Sequence, residues 1–340
     1  MHPAPSLDIR EYRPGDEEAI VAAFNRVFAA TRPGFRTRRL DGWRWRFVDN
    51  PSIPSGGPRI FLAFDEEGQV LAQYAGLSQR ALVEGRSVHF SHSVDSFCDP
   101  ALRGGIGKRG VFVQTGEPFA ENYGGQDVDS DVFMWGLPVR TAWRIGRARL
   151  GYEFLDPLWT LTLESSKPSE SEARGVEVSD AAEFPADTDE FFTRCARDHS
   201  AIVVRDREHL AWRYTRCPEV RYQIAIARAR GHMLGYAVHR LGEIDGRPAQ
   251  VICDWLVMRA DNGPAQALRA YLQSWASDVG LPLVCAFPSH TPEFVDFQAA
   301  GYKVAGSRTR CVVGRSYDRR HSARWYSQNL YATLGDTDLV

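Results

Sequence analysis

The chain has 340 residues, too many for one ordinary core and enough for two domains of about 150 to 170 residues each. A content of 44% hydrophobic and 25% charged residues is that of a folded chain, and a net charge of −2 supplies no basic field to draw it to nucleic acid. No run of eighteen apolar residues occurs and the start lacks a cationic, then apolar leader, so neither membrane nor export is expected and the cytoplasm is the expected compartment; Cys98, Cys195, Cys217, Cys253, Cys285 and Cys311 form no C-x-x-C pair, so no metal is expected.

DIREYRPGDEEAIVAAFNRVF (8–28) predicts a short strand and then a helix, capped by Asp16, with Ala19, Ile20, Ala23, Phe24, Val27 and Phe28 on one face. RIFLAF (59–64), VLAQYAGLSQRALV (70–83) and SVHFSHSVDSF (87–97) are strand-like runs joined by the turns EEGQ and EGRS, which makes an antiparallel meander. LRGGIGKRGVF (102–112) then packs four glycines and three cationic side chains into eleven positions, one of the cations being Lys108 in a chain with only two other lysines. VFVQTGEPFAENYGG is helical in pattern, and Gly116 and Pro118 are expected to kink or shorten it. DVFMWGLP is a strand, and VRTAWRIGRARLGYEFL a basic helix stopped by Gly151 and followed by another strand. The expected architecture is a mixed sheet with helices on it.

ESSKPSESEARG (164–175) is polar and charged, as a solvated linker should be. It divides the chain into a domain over 1–164, a linker over 165–175 and a domain over 176–340. The second half echoes the first in order: Trp45-Arg46-Phe47 returns as Trp212-Arg213-Tyr214, Val94-Asp95-Ser96-Phe97 as Cys253-Asp254-Trp255-Leu256, Leu137-Pro138 as Phe287-Pro288, and Leu150-Gly151-Tyr152 as Ala300-Gly301-Tyr302. Colinear recurrence of four pairs implies two copies of one fold. Trp45 and Trp212, large aromatics at a repeated position, are expected to fill core. The closing stretch, from His321 through Asp338, is aromatic and then acidic and is expected to be a tail tied onto the first domain.

Glycines let main-chain N–H groups face an anion, and a following helix adds its positive end, so the 102–112 loop points to a phosphate-bearing nucleotide. Gly105-Ile106-Gly107-Lys108-Arg109-Gly110 satisfies G-x-G-x-x-G. Seven residues from Cys98 to Gly104 nevertheless separate it from the strand, the strands before it are hairpin-linked, and no acidic residue follows to hold a ribose, which argues against a dinucleotide site. A Walker loop fails because Arg109 follows Lys108 and Leu102 stands where the first glycine is needed.

An acyl-CoA pyrophosphate remains. Pro100-Ala101-Leu102-Arg103-Gly104-Gly105-Ile106-Gly107 resembles the loop after the fourth strand of the GNAT superfamily of acyl-CoA-dependent N-acyltransferases, a proline and then Arg-Gly-x-Gly-Ile-Gly, shortened by one residue. IREYRPGDEEAI is similar to the opening strand and helix of many such enzymes, WRFVDNP (45–51) to a segment of one bacterial subgroup, and Leu150-Gly151-Tyr152 to the usual Leu-Gly-aromatic after the fourth helix. Residues 176–315 resemble the fold more faintly, since Asp261-Asn262-Gly263-Pro264-Ala265 holds a single glycine. The resemblance implies an α+β (α/β) fold of two tandem GNAT-like domains, each a mixed, mostly antiparallel sheet flanked by helices, the second without a working phosphate loop.

It also implies a transfer of an acyl group, most simply acetyl, from acyl-CoA to an amine acceptor of small-molecule or peptide kind, with no nucleic acid, membrane or metal partner. Main-chain N–H groups of Phe97 and Cys98 would hold pantetheine at a strand bulge and polarise the thioester carbonyl. Arg103, Lys108 and Arg109, with main-chain groups at Gly104, Gly105, Gly107 and Gly110, would hold the pyrophosphate. Asp95 shares a strand face with Phe97 by alternation and is the candidate base, directly or through water; His89 and His92 on the same strand come next. Two features of the family pattern are absent: Arg147 stands at the usual acid tyrosine, with Phe297 in the second copy, and Val139 and Ser289 stand where an asparagine commonly meets pantetheine. Their loss keeps open an inactive acyl-CoA-binding or scaffold protein, and a transferase of the Fem type, which uses charged tRNA, is a third alternative. Acceptor identity and oligomeric state are not legible in the sequence.

Overall fold

The computed structural model describes all residues except 1–6, 32–33, 103–109, 165–174, 245 and 261, and the side chains at 308 and 309. Arg103, Gly104, Gly105, Gly107, Lys108 and Arg109 of the glycine-rich loop, and most of the expected linker, therefore lie outside the described residues. The chain divides into two compact units that interleave in sequence: the first takes residues 1–80, 88–154 and 313–323, the second 81–87, 155–312 and 324–340.

In the first unit, β1 (Asp8–Glu11) leads into α1 (Glu17–Ala29), α2 (Leu40–Phe47), β2 (Arg59–Phe64), β3 (Val70–Val83), β4 (Arg86–Cys98), α3 (Val111–Tyr123), β5 (Asp131–Gly136) and α4 (Arg140–Arg149). β1, β2 and β3 pair antiparallel and β4 pairs β5 in parallel, while β5 is flanked on its other side by the antiparallel segment Val313–Ser316. Every residue of β2 and β5 is buried, which is why RIFLAF and DVFMWG run apolar without alternation. α1 buries Ile20, Ala23, Phe24 and Val27 at helical spacing, leaving Ala19 exposed. Asp16 is not the expected side-chain cap: its carboxylate takes the Arg10 guanidinium at 2.8 and 2.9 Å, a charge-assisted pair that outcompetes a helix N–H. α3 is not shortened either, and runs through Pro118. Gly116 belongs there because a Cβ would come within 2.9 Å of Leu150 and 3.0 Å of Tyr74.

The second unit continues with β6 (Glu153–Leu163), β7 (Glu177–Ala181), α5 (Thr188–Cys195), β8 (Ala201–Val203), α6 (Arg207–Leu210), β9 (Gln223–Ala229), β10 (His232–Ile244), β11 (Arg247–Val257), α7 (Gly263–Val279), β12 (Leu283–Cys285), α8 (Pro292–Ala299), β13 (Lys303–Ser316), α9 (Ala323–Asn329) and β14 (Leu330–Tyr331). The end of β13 is the Val313–Ser316 segment of the first unit, and the first two residues of β6 also lie there. β7, β9, β10 and β11 form an antiparallel meander, β11 pairs β12 in parallel, and β12 pairs β6 antiparallel. One buried apolar cluster holds this unit, from Leu161 through Trp255 and Leu268 to Leu334 and Val340. The closing stretch begins in the first unit, to which 321–323 belong, but from Arg324 to Val340 it belongs to the second and not to the first as expected.

The repeated sequence pairs fall at corresponding places. Asp95 and Asp254 lie in the strand before the long loop, Leu137-Pro138 and Phe287-Pro288 follow the parallel partner strand, and Gly151 and Gly301 both end a helix with positive φ, 67° and 94°. Trp45 and Trp212 are buried, as expected of core aromatics.

Candidate functional site

The parallel ladder of β4 and β5 runs from His89–Asp131 to Ser93–Gly136 and stops, whereas β4 continues to Cys98, where the Asp99 N–H still bonds the Leu71 carbonyl of β3 at 2.8 Å. The ladder ends where β5 itself ends, at Gly136, so residues 94–98 run on beside β3 with no β5 rung among the described residues. Asp95, two residues beyond the last rung, has φ 49°, a left-handed conformation that a non-glycine residue adopts inside a strand only at a bulge or under constraint. The constraint is visible: Gln73 Nε2 donates to the Asp95 carbonyl at 2.9 Å, and the Ala75 N–H donates to the Ser96 hydroxyl at 3.2 Å.

Beyond that bulge the side chains alternate. Asp95 and Phe97 share the face toward α1, where Phe97 packs edge-on to Phe24 at 6.1 Å and the Arg38 guanidinium lies 4.5 Å over the same Phe24 ring. Cys98 points the other way, against Val111 at the start of α3. The Asp95 carboxylate is engaged by two guanidinium groups on one oxygen: Arg38 Nη1 pairs with it, and Arg46 Nη1 lies 3.5 Å away. Gly110 caps α3 through its carbonyl, which accepts from Val113 and Gln114 at 2.9 and 3.1 Å; a Cβ there would meet nothing within 4 Å.

The two histidines lie elsewhere. His92 is fully buried with its ring 4.4 Å from that of Trp135, and His89 forms the first rung of the ladder, at the end opposite Asp95, where burial pushes its pKa down. Beside it Asp131 is fully buried, 3.6 Å from Arg59 Nε, with no hydrogen bond to either carboxylate oxygen among the described residues; burial lifts its pKa to about 7.

A hydroxyl cluster that pattern reasoning missed stands at the other end of the ladder. The Tyr74 and Tyr152 hydroxyls bond each other, and both interact with Ser93, the last β4 residue paired to β5. Burial raises both phenols and keeps them protonated. Tyr152 is the aromatic of Leu-Gly-aromatic, so the motif was visible although its partners were not. Arg147, at the position of the missing tyrosine, is exposed over Trp143.

The second unit repeats this geometry. β11 leaves β12 after Val251–Val284 and continues to Val257, carrying Asp254. Arg205 Nε lies 3.3 Å from Asp254, and Tyr236 donates to the same carboxylate at 2.9 Å. Here the closing segment fills the space. Thr333 donates to Asp254 at 2.9 Å, Tyr331 donates to the Trp255 carbonyl, Asp336 pairs with Arg205 at 2.5 Å, and Arg213 donates to the carbonyls of Gly335, Thr337 and Val340 at 3.0, 3.1 and 2.6 Å. Burial raises the Asp336 carboxyl against the pull of Arg205. Gly335 fits only as glycine: a Cβ would lie 1.9 Å from Tyr214 Oη and 3.0 Å from the Cys253 carbonyl.

Among the described residues no cluster of three or more His, Cys, Asp or Glu has the arrangement of a metal site, and no helix is long and apolar enough to cross a membrane. No protein-family model and no curated protein matches the chain. Solved structures do. A GCN5-related N-acetyltransferase from Kribbella flavida matches with a TM-score of 0.65 at 16% identity, over 92% of this chain and 71% of that one. Another from Anabaena variabilis ATCC 29413 matches with a TM-score of 0.65 at 10% identity, over 92% and 73%. A tandem GNAT protein from the clavulanic acid biosynthesis pathway matches with a TM-score of 0.54 at 13% identity, over 92% of this chain and 99% of that one.

Proposed function

From the premise that the chain has the tandem GNAT fold, we propose that it is an N-acyltransferase of the cytoplasm that moves an acyl group, most simply acetyl, from acyl-CoA to an amine. The observation that carries this reading is the run of β4 beyond its last β5 rung at Ser93, with the left-handed Asp95 two residues on. A released strand edge offers fixed main-chain donors where the thioester oxygen gains charge, here at Phe97 and Cys98, and such donors contribute a few kcal/mol, about 3 each. Arg103, Gly104, Gly105, Gly107, Lys108, Arg109 and Gly110, running into the N-terminal end of α3, are the proposed pyrophosphate contacts.

In the step itself the neutral amine nitrogen forms a bond to the thioester carbon, the C–S bond breaks, the sulfur takes up a proton from a hydroxyl donor, and the proton the nitrogen gives up passes through water to replace it, so that amide and free thiol are the products. Tyr74 and Tyr152, bonded to each other and to Ser93 at the last rung of the ladder, are the proposed hydroxyl donors in place of the tyrosine that Arg147 replaces. Asp95 is assigned a positioning role, holding Arg38 and Arg46. Asp95→Asn separates that role from general base catalysis: loss of a base removes the acidic limb of the kcat/KM profile, whereas loss of a positioning group keeps the limb and raises KM.

The direct test is titration calorimetry with acetyl-CoA and longer acyl-CoAs, then release of free thiol with an amine panel. Saturable binding and amine-dependent thiol release support the proposal; silence with every acyl-CoA ends it. The exposed Arg147 favours one second reading, an acyl-CoA-binding protein without turnover, which binding with no thiol release for any amine would establish.

A further inference from the structure

Helix α4 carries four arginines and no acidic residue in ten positions. Arg140, Arg144, Arg147 and Arg149 are all exposed, and none makes an ion pair or a side-chain hydrogen bond to another described residue. Glu153, just past the helix, pairs with none of them. Arg140, Arg144 and Arg147 follow one another at i, i+4 and i+7 and so share one face, with Trp143 beside them, one turn from Arg140 and from Arg147. The Arg147 guanidinium lies 6.0 Å over the Trp143 ring, and the Phe154 ring packs 6.3 Å from it. Apolar surface accompanies the charge: Phe154 is 54% exposed and Val139, one turn before Trp143, 46%.

This stripe opposes the helix that carries it. Like charges three and four residues apart repel, and although Arg147 and Arg149 suit the negative end of the helix dipole, Arg140 stands at the positive end. A partner of opposite charge removes both penalties. Its kind follows from the size of the stripe, which spans about 10 Å along the axis, the distance over which one face of an acidic helix or alternate positions of an acidic strand present three carboxylates. Planar guanidinium forks take carboxylates two-pronged, and exposed aromatics beside arginine are the composition of the centres of protein interfaces. A polyanion or a charged bilayer binds instead in proportion to the number of cations it meets, and a chain of net charge −2 offers it little beyond this one helix face.

We propose that the Arg140–Arg144–Arg147 face of α4, with Trp143, Phe154 and Val139 beside it, docks an acidic protein segment that carries apolar side chains between its carboxylates. None of these groups takes part in the transfer proposed above, so the two readings stand or fall separately. Fluorescence anisotropy with a labelled Glu-Glu-Leu-Glu-Glu-Leu-Glu-Glu peptide tests it, beside the same peptide with Gln for every Glu, a thymidine oligonucleotide, and phosphatidylcholine vesicles containing phosphatidylglycerol. The acidic peptide should bind best, and its Gln counterpart at least about tenfold more weakly. Arg140→Glu combined with Arg144→Glu should abolish that preference and transfer it to a Lys-Lys-Leu-Lys-Lys-Leu-Lys-Lys peptide, a gain that an unfolded variant would not show. Equal binding of the Glu and Gln peptides, tighter binding of the oligonucleotide or the vesicles, or an unchanged preference in the double variant overturns the inference. So does release of the acidic peptide by coenzyme A, which would give the stripe to the cofactor. The wild-type order among the probes decides even where the variant fails to fold.

Discussion

The two units place an aspartate and two arginines at matching positions of the sequence, pair the first arginine with the aspartate in both, and differ in how far these groups are withdrawn from water. Around Asp254 the aspartate, both arginines and Asp336 are sealed under Leu330–Val340, whereas Asp95, Arg38 and Arg46 keep 7%, 14% and 13% of their side-chain surface. A charge network withdrawn from water is held together by mutual completeness, because removing one member strands the rest. A partly wet one tolerates loss. The two copies thus differ in how far each charge depends on the others.

That comparison fails or sharpens on measurable differences. The largest is expected at Arg205: Arg205→Ala leaves Asp254 and Asp336 buried without their cation and should cost about 3–5 kcal/mol in denaturant unfolding. Arg38→Ala leaves Asp95 with Arg46 and some water, and should cost about 1 kcal/mol. Equal losses would break the contrast.

The next concerns the first rung of each parallel ladder. The first unit has His89–Asp131 there and the second Gln250–Leu283. Because Asp131 titrates at about 7 in the folded protein and about 4 when unfolded, the native state alone keeps the proton between those values. Stability should therefore fall as pH rises from about 4 to 7 and level off above, by up to about 4 kcal/mol. Asp131→Asn should flatten that slope; a melting-temperature difference between wild type and variant that stays constant across pH 4–8 would refute the assignment. A further loss is expected at Gly335→Ala, where the added methyl meets Tyr214 Oη and the Cys253 carbonyl and should cost about 1–3 kcal/mol. Loosening of the closing segment should show as faster proteolysis near residue 335. No change in either measurement would mean that segment is not the seal described.

Local pattern carried much of this architecture. The apolar face of α1, the β2–β3–β4 meander and the stop at Gly151 follow from period and turn chemistry. The colinear Trp-Arg-aromatic and Asp-containing strings located the duplicated parts, and the spacing of Arg38 to Arg46 and Arg205 to Arg213 was readable beside them. What stayed hidden depends on contacts distant in sequence. Asp16 looked like a cap because nothing local announces that Arg10 takes it. The two arginines that engage Asp95 lie some fifty residues upstream, beyond the reach of any local pattern. The Tyr74–Tyr152 pair joins a strand to the residue after a helix 78 positions on, and no period encodes such a meeting.

β5 is flanked on one side by β4 and on the other by Val313–Ser316, made more than 170 residues later. On the ribosome the first unit's sheet therefore cannot close when its own helices and strands have emerged; β5 waits with a bare flank while nearly all of the second unit is synthesised. Vectorial folding of this chain is thus nested rather than sequential, and a fragment ending at residue 164 should be sticky and chaperone-dependent where the 340-residue chain is not.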